Sequence, residues 1–276
     1  MSVENNPLKQ YFRRPAVFIK LPSEGKGYPE GVIDMPPTGE LPVYPMTAID
    51  EITTKTPDAL FNGSAITELI KSCMPNIKDP WKIFNTDLDT ILIAIKSAST
   101  GNDIELDSQC PSCENIATYT INLIQVLSTI TAPNYENTLD IGDLKFKFHP
   151  LTYKQMNEAS LGQFEVQRNF IDIEKEKEQT EKTRKGQEAL KKVTELTMKI
   201  LSETIAYIQT PNTVVDNKEY IFDFLKNCDK NIFTTIRDYN AKLKEASDIK
   251  PLQIQCSSCQ HKYTQTFTLN SADFFG

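Results

Sequence analysis

Cys110-Pro111-Ser112-Cys113 and Cys256-Ser257-Ser258-Cys259 are the two stretches on which the fold turns. Each C-x-x-C turn can offer two thiolates to one ion. Two such turns complete a tetrahedral set of sulfurs at about 2.3 Å from Zn²⁺, with no open position for a substrate. The expected ligands are therefore Cys110, Cys113, Cys256 and Cys259, the expected ion is Zn²⁺, and its role is structural. Two other readings of the same residues stand beside this one. They are an independent redox pair in each turn, although neither turn opens a helix as thioredoxin-like chemistry requires, and inert thiols or a disulfide. His261 can also replace or support a thiolate, or simply be an exposed strand residue. Cys73, on an apolar helical face, and Cys228, near a helix end, read as small buried hydrophobes.

The spacing is unusual, because residues 114–255 lie between the turns where a simple ribbon has roughly 15 to 20 residues. A zinc ribbon split by an insertion accounts for this. Each turn is followed by alternation, Ala117 to Leu123 after the first and Lys262 to Leu269 after the second. These two strands are expected to pair with each other across the gap.

Outward from the turns, Leu139-Asp140-Ile141 and Leu144 to Phe148 alternate around Gly142-Asp143, a dipeptide suited to a two-residue hairpin. Pro150 closes that hairpin, with His149 as one of its residues. The stretch from Tyr153 to about Gln209 is rich in Glu, Lys, Gln and Ala. Its run from Glu174 to Lys182 reads as a solvated helical face. Apolar residues at Val193, Leu196, Ile200, Leu201, Ile205 and Ile208 continue the helix, and Gly186 is a plausible break. Two shorter helices fit Tyr220 to Asn227 and Asn231 to Lys244, with Asp216 and Asp229 as N-caps.

Toward the N-terminus, Ser64 is a candidate cap for a helix carrying Ile66, Leu69, Ile70 and Cys73. Thr86 or Asp87 announces another that carries Leu88, Ile91, Leu92 and Ile95 and stops near Gly101. Nine of the 16 prolines fall within residues 1–60. Proline lacks the amide donor that helices and central strands need, so this region is expected to be an extended, turn-rich arm. It either covers the chain's own core or grips a partner.

The expected fold is α+β, a helical body with a small antiparallel sheet and a split four-cysteine zinc-ribbon-like module, preceded by an extended Pro-rich N-terminal arm. The segments are the arm at 1–60, a helical segment at 61–109, the first cysteine knuckle with strands and hairpin at 110–150, a helical insertion at 151–250, and the second knuckle with a C-terminal strand at 251–276.

Composition narrows the function. The chain has 276 residues with 39% hydrophobic and 24% charged, ordinary globular usage that excludes collagen-like and disulfide-dense scaffolds. A net charge of −7 argues against wrapping nucleic acid, whose phosphates demand a concentrated basic surface. No apolar run is long enough to span a membrane. The N-terminus lacks the pattern of a signal peptide, so residence in a cytoplasm with reduced thiols is expected. With only two histidines, a Ser/His/Asp arrangement has no support. Asp87 and Asp89 fit a helix start better than an acid/base pair. Gly25 and Gly27, in a segment without the ending of a phosphate loop, fit a turn. No catalytic residue is assigned, and no enzyme is expected.

Several pieces together resemble a known family. They are Leu21-Pro22-Ser23-Glu24-Gly25-Lys26-Gly27-Tyr28, Leu41 to Glu51, Thr56 to Gly63, the Asp87-Leu88-Asp89 helix start and the first cysteine turn. This composite resembles the baseplate hub proteins of T-even-like contractile-tailed bacteriophages, well up to Pro150 and more loosely at the second knuckle. The resemblance implies a non-enzymatic role as a hub subunit or a hub assembly factor. Other hub and tail proteins are the implied partners, and the virion tail or the infected cell's cytoplasm is the implied location. The alternative is a zinc-ribbon nucleic-acid-binding module, for which the second knuckle offers Lys262, Tyr263 and Phe267 and the first only Tyr119.

Overall fold

The computed structural model describes residues 6–176, 178–267 and 274. The fold is mixed α/β, with helices and small antiparallel sheets. The chain divides into two compact units. One comprises Met1–Pro80, Asp87–Ile130 and Ile249–Gly276, and the other Trp81–Thr86 and Thr131–Asp248. The second thus interrupts the first in sequence.

In the first unit, β1 (Val17–Ile19) and β2 (Leu41–Val43) pair antiparallel, Val17 opposite Val43. The proline-rich stretch between them folds as turns and buries Leu21 and Val32. From residue 17 to residue 44 the arm therefore covers the chain's own core. Leu8, Tyr11, Phe12 and Phe18 nevertheless stay exposed. Arg13 holds the segment beside them, donating to the Pro45 and Ser72 carbonyls and lying 3.4 Å from Asp50.

A short helix, α1 (Ala48–Thr54), follows where the sequence reading placed only extended arm. Its signal was present in Thr47 and Asp50, which form a reciprocal capping box. Next come α2 (Pro57–Phe61) and α3 (Ser64–Cys73), the latter burying Ile66, Leu69, Ile70 and Cys73 as its spacing predicts. The cap of α3 is Gly63 in the left-handed region (φ 80°), with Ser64 as the first helical residue. Glycine tolerates that conformation, whereas a side chain there costs about 1 kcal/mol or more.

The next helix, α4 (Asn85–Thr100), carries the expected apolar stripe. Asp87 in its first turn is fully buried and binds the 23–28 turn. Its carboxylate accepts from the Ser23 amide at 2.9 Å, the Ser23 hydroxyl at 2.5 Å and the Tyr28 hydroxyl at 2.6 Å. This explains the aspartate as a structural anchor. Beyond α4, β3 (Asp103–Gln109) and β4 (Ile116–Asn122) form a hairpin, and Asn122 then caps α5 (Leu123–Thr129).

The second unit begins with β5 (Thr138–Ile141) and β6 (Leu144–Phe148), joined as expected through Gly142-Asp143, with Gly142 at φ 58°. Two long helices follow, α6 (Tyr153–Glu174) and α7 (Gln179–Thr204). They run antiparallel. Gln155 donates to Glu203 at 2.7 Å, a Cβ on Gly162 would sit 3.1 Å from Leu196, and Lys185 pairs with Glu176 at 2.6 Å. α6 ends at Glu174 and α7 begins at Gln179, and Gly186 lies inside α7. Arg184 bonds Glu181 behind it and Glu188 ahead of it, and the second pair spans the glycine, a small addition to the helix there.

Ile205 and Ile208 do not extend α7. They belong to β7 (Ile205–Gln209), which pairs with β6 and with β8 (Val214–Val215) in a sheet of order β5-β6-β7-β8. The register shifts between Lys147 and Phe148, so that Tyr207 faces Lys147 and Ile205 faces Phe148, skipping Ala206. A bulge adds one residue to a strand. The buried isoleucines are thereby three apart, the spacing of a helix. Two further helices, α8 (Lys218–Asn227) and α9 (Lys230–Ser247), cover the sheet. Asp229 caps α9 as expected, while α8 is capped by Asn217 and not by Asp216. The core is Phe146, Phe148, Leu201, Ile205, Ile208, Ile221, Leu225 and Ile236.

The chain returns to the first unit with β9 (Leu252–Gln255) and β10 (Lys262–Gln265), another antiparallel hairpin. Thr268 and Leu269, read as part of that last strand, lie outside the described residues. Here Ile93, Leu123, Val126, Ile130, Ile249 and Phe267 form an apolar cluster. Among the described residues no helix is long and apolar enough to cross a membrane.

Candidate metal centre

Each C-x-x-C forms the tip of its own hairpin, between β3 and β4 in one case and between β9 and β10 in the other. The expected pairing of β4 with β10 across the insertion is therefore corrected. Each strand after a knuckle pairs with the strand just before it. The physical reason is local, because the knuckle itself reverses the chain. Cys110 N–H donates to the Asn115 carbonyl and Glu114 N–H to the Cys110 carbonyl, both at 2.9 Å. The second tip repeats the pattern at the same offsets, from Cys256 to His261 at 2.9 Å and from Gln260 to Cys256 at 3.0 Å. Glu114 (φ 58°) and Gln260 (φ 61°) take the same left-handed position after the second cysteine.

These twin tips bring the four sulfurs together. All four Sγ atoms lie within 4.8 Å of one another. Cys110 Sγ is 3.7 Å from Cys259 Sγ, and Cys113 Sγ is 3.6 Å from Cys256 Sγ. A tetrahedron with Zn–S bonds of about 2.3 Å has edges of about 3.8 Å. The cluster thus has the size of a four-thiolate metal site and is able to hold one ion. Cys110 and Cys256 are buried, Cys113 and Cys259 exposed.

The thiols are electrostatically unequal. Backbone amides of Cys259 and Ser258 lower the Cys256 thiol to about 6, helped by the neighbouring thiols. Cys113 behaves oppositely. The Asn115 amide favours its thiolate, yet hydrogen bonding with Cys259, burial, and the thiols of Cys256 and Cys110 push it up to about 12. Four sulfurs this close cannot all carry charge unless a cation sits among them.

Beside the cluster, the Ser108 hydroxyl of β3 lies 3.0 Å from the Tyr263 hydroxyl and donates to Gln265 Oε1 at 2.9 Å. These bonds join the hairpins. The sequence reading missed Ser108 because β3 is acidic, with Asp103, Glu105 and Asp107, and carries little of the usual strand signal. His261 contributes its backbone carbonyl, while its ring stacks near Tyr263 with centroids 6.3 Å apart. The metal-sized cluster among the described residues consists of the four cysteines. Of the residues offered for nucleic-acid contact, Phe267 is buried and Tyr263 is held by Ser108.

The other cysteines are apart from this centre. Cys73 is buried on α3, and burial raises its thiol to about 11. Cys228 ends α8, its thiol facing the Leu225 carbonyl at 3.6 Å. His149 Nδ1 donates to the Pro150 carbonyl at 2.9 Å. Burial first, and Lys218 second, lower its pKa.

A family model described as T4 bacteriophage base plate protein matches residues 19–276. No curated protein and no solved structure matches the chain.

Proposed function

The chain belongs to the T4 bacteriophage base plate protein family, and from that premise we propose that it is a structural or assembly component of the tail hub, acting without catalysis. The observation that carries this reading is the family match over residues 19–276, which includes both cysteine turns. A baseplate protein works by contact with other tail proteins. Exposed Leu8, Tyr11, Phe12 and Phe18 offer apolar surface for such contacts. The proposed ion is Zn²⁺, bound by Cys110, Cys113, Cys256 and Cys259. Its closed sphere leaves it a structural task, fastening two hairpins that are distant in sequence.

The proposed location is the virion tail, the infected cell's cytoplasm during assembly, or both in turn. Quantitative mass spectrometry of purified particles and of hub intermediates from one infection tests this. Presence in both makes the chain a hub subunit, and presence in intermediates alone makes it an assembly factor. Absence from both contradicts the proposal.

A further inference from the structure

We propose that the four cysteines form a two-state fastener, holding the hairpins together through Zn²⁺ under reducing conditions and through two cross-hairpin disulfides, Cys110–Cys259 and Cys113–Cys256, after oxidation. The inference rests on the metal reading above and extends it to a second chemical state. Four cysteines allow three pairings. The short sulfur distances, 3.7 Å and 3.6 Å, belong to pairs that cross between hairpins. Each pair joins one exposed sulfur, which an oxidant reaches, to one buried sulfur, which resolves it.

The remaining geometry favours the crossing pairs. Within each tip, two backbone hydrogen bonds hold the C-x-x-C turn in its ligand-presenting shape. Crossing bridges draw on sulfurs already 3.7 Å and 3.6 Å apart and leave those hydrogen bonds in place. Between the tips, Ser108 already holds β10 in place through Tyr263 and Gln265, so a crossing bridge needs only a short approach of sulfurs.

The chemistry balances with hydrogen peroxide as the oxidant. In each step a thiolate sulfur attacks peroxide, the O–O bond breaks, and a sulfenic acid and hydroxide form. The facing thiolate then displaces hydroxide from that sulfur as the S–S bond forms. For the whole site, the zinc tetrathiolate, two peroxides and four protons give Zn²⁺, two disulfides and four waters. Four electrons pass from sulfur to peroxide. A baseplate protein passes from a reducing cytoplasm to an oxidising exterior. This fastener keeps the hairpins joined on both sides of that passage.

The test is to treat the zinc-loaded full chain with hydrogen peroxide beside a chromogenic zinc indicator, then digest it without reduction. The expected result is one zinc released for two disulfides formed. The peptide holding Cys110 and Cys113 is joined to the one holding Cys256 and Cys259. Partial reduction with alkylation then assigns Cys110 to Cys259 and Cys113 to Cys256. Bridges within each turn, the third pairing, or sulfinic and sulfonic acids in place of disulfides overturn the inference. A chain that carries no metal yet still forms the crossing bridges overturns the zinc reading alone. As a second variant, Cys113→Ser leaves Cys110 to bridge Cys259. A single Cys110–Cys259 bridge supports the proposal, and a Cys110–Cys256 or Cys256–Cys259 bridge contradicts it.

Discussion

The sheet of the second unit and the twin cysteine hairpins of the first are both small and antiparallel, but different forces close them. The β5–β8 sheet lays Phe146, Phe148, Ile205 and Ile208 against Ile221, Leu225 and Ile236 of its covering helices, and so builds an apolar core. The β3–β4 and β9–β10 hairpins alternate exposed and half-buried positions, with Ser108 and Ile254 among their few buried residues. A two-stranded hairpin is at best marginal alone in water. What converges at the tips is sulfur. At their base the hairpins lend Ile104, Ile121 and Leu252 to the cluster around Phe267. The comparison teaches that sulfurs able to hold an ion can gather where the apolar core does not reach, as in small zinc modules.

The largest expected effect breaks the comparison at the sulfurs. Cys256→Ser removes a buried sulfur of the proposed zinc site, and zinc binding is worth about 10–16 kcal/mol in small zinc-finger peptides. The variant is expected to lose its metal and, by hydrogen exchange, to lose amide protection in 103–122 and 252–265. The amides of 144–148 and 205–209 should keep theirs. Equal loss in both regions contradicts the separation drawn here.

The reciprocal change strikes the apolar core. Phe148→Ala, at a fully buried ring, is expected to cost about 3–5 kcal/mol in urea unfolding of the second unit, with the metal content unchanged. If metal is lost as well, the two closures are not independent.

A smaller effect sharpens the role of polar anchors in the first unit. Burial raises the Asp87 carboxyl above its ordinary range, against the opposing pull of Ser23 and Tyr28. The folded state then holds its proton to higher pH than the unfolded state. Stability from this group is therefore present below the unfolded pKa, about 4, and declines as pH rises through the folded value. Asp87→Asn removes the titration. The difference in stability between wild type and variant is expected to shift toward the variant as pH increases from about 4, measured by urea unfolding across pH. A pH-independent difference contradicts the assignment.

The smallest effect concerns the helix start of α6. The Thr152 hydroxyl accepts from the Gln155 amide, and Gln155 Oε1 accepts from the Thr152 amide. Thr152→Ala is expected to cost about 1 kcal/mol, read by thermal unfolding, with no change at the sulfurs.

The features legible in the sequence were those with short-range causes. Two thiols on a turn, Gly142-Asp143 between alternating runs, and Asp229 before an amphipathic run each act within a few residues, and each appears as expected. The misreadings share a longer range. Ile205 and Ile208 copied a helical period because a bulge set by β6 skips Ala206. Gly186 lies inside α7, where the Arg184–Glu188 pair spans it and the helix packs on α6. The strands after the two knuckles were paired with each other because each half was read as a turn followed by one strand. The acidic β3 that precedes the first knuckle hid the hairpin already complete there.

Native mass spectrometry of the reduced full chain, with and without a strong chelator, tests the central claim most directly. The account predicts one zinc per chain, removed by the chelator and absent from Cys110→Ser and Cys256→Ser. A metal-free chain with four free thiols at Cys110, Cys113, Cys256 and Cys259 contradicts it.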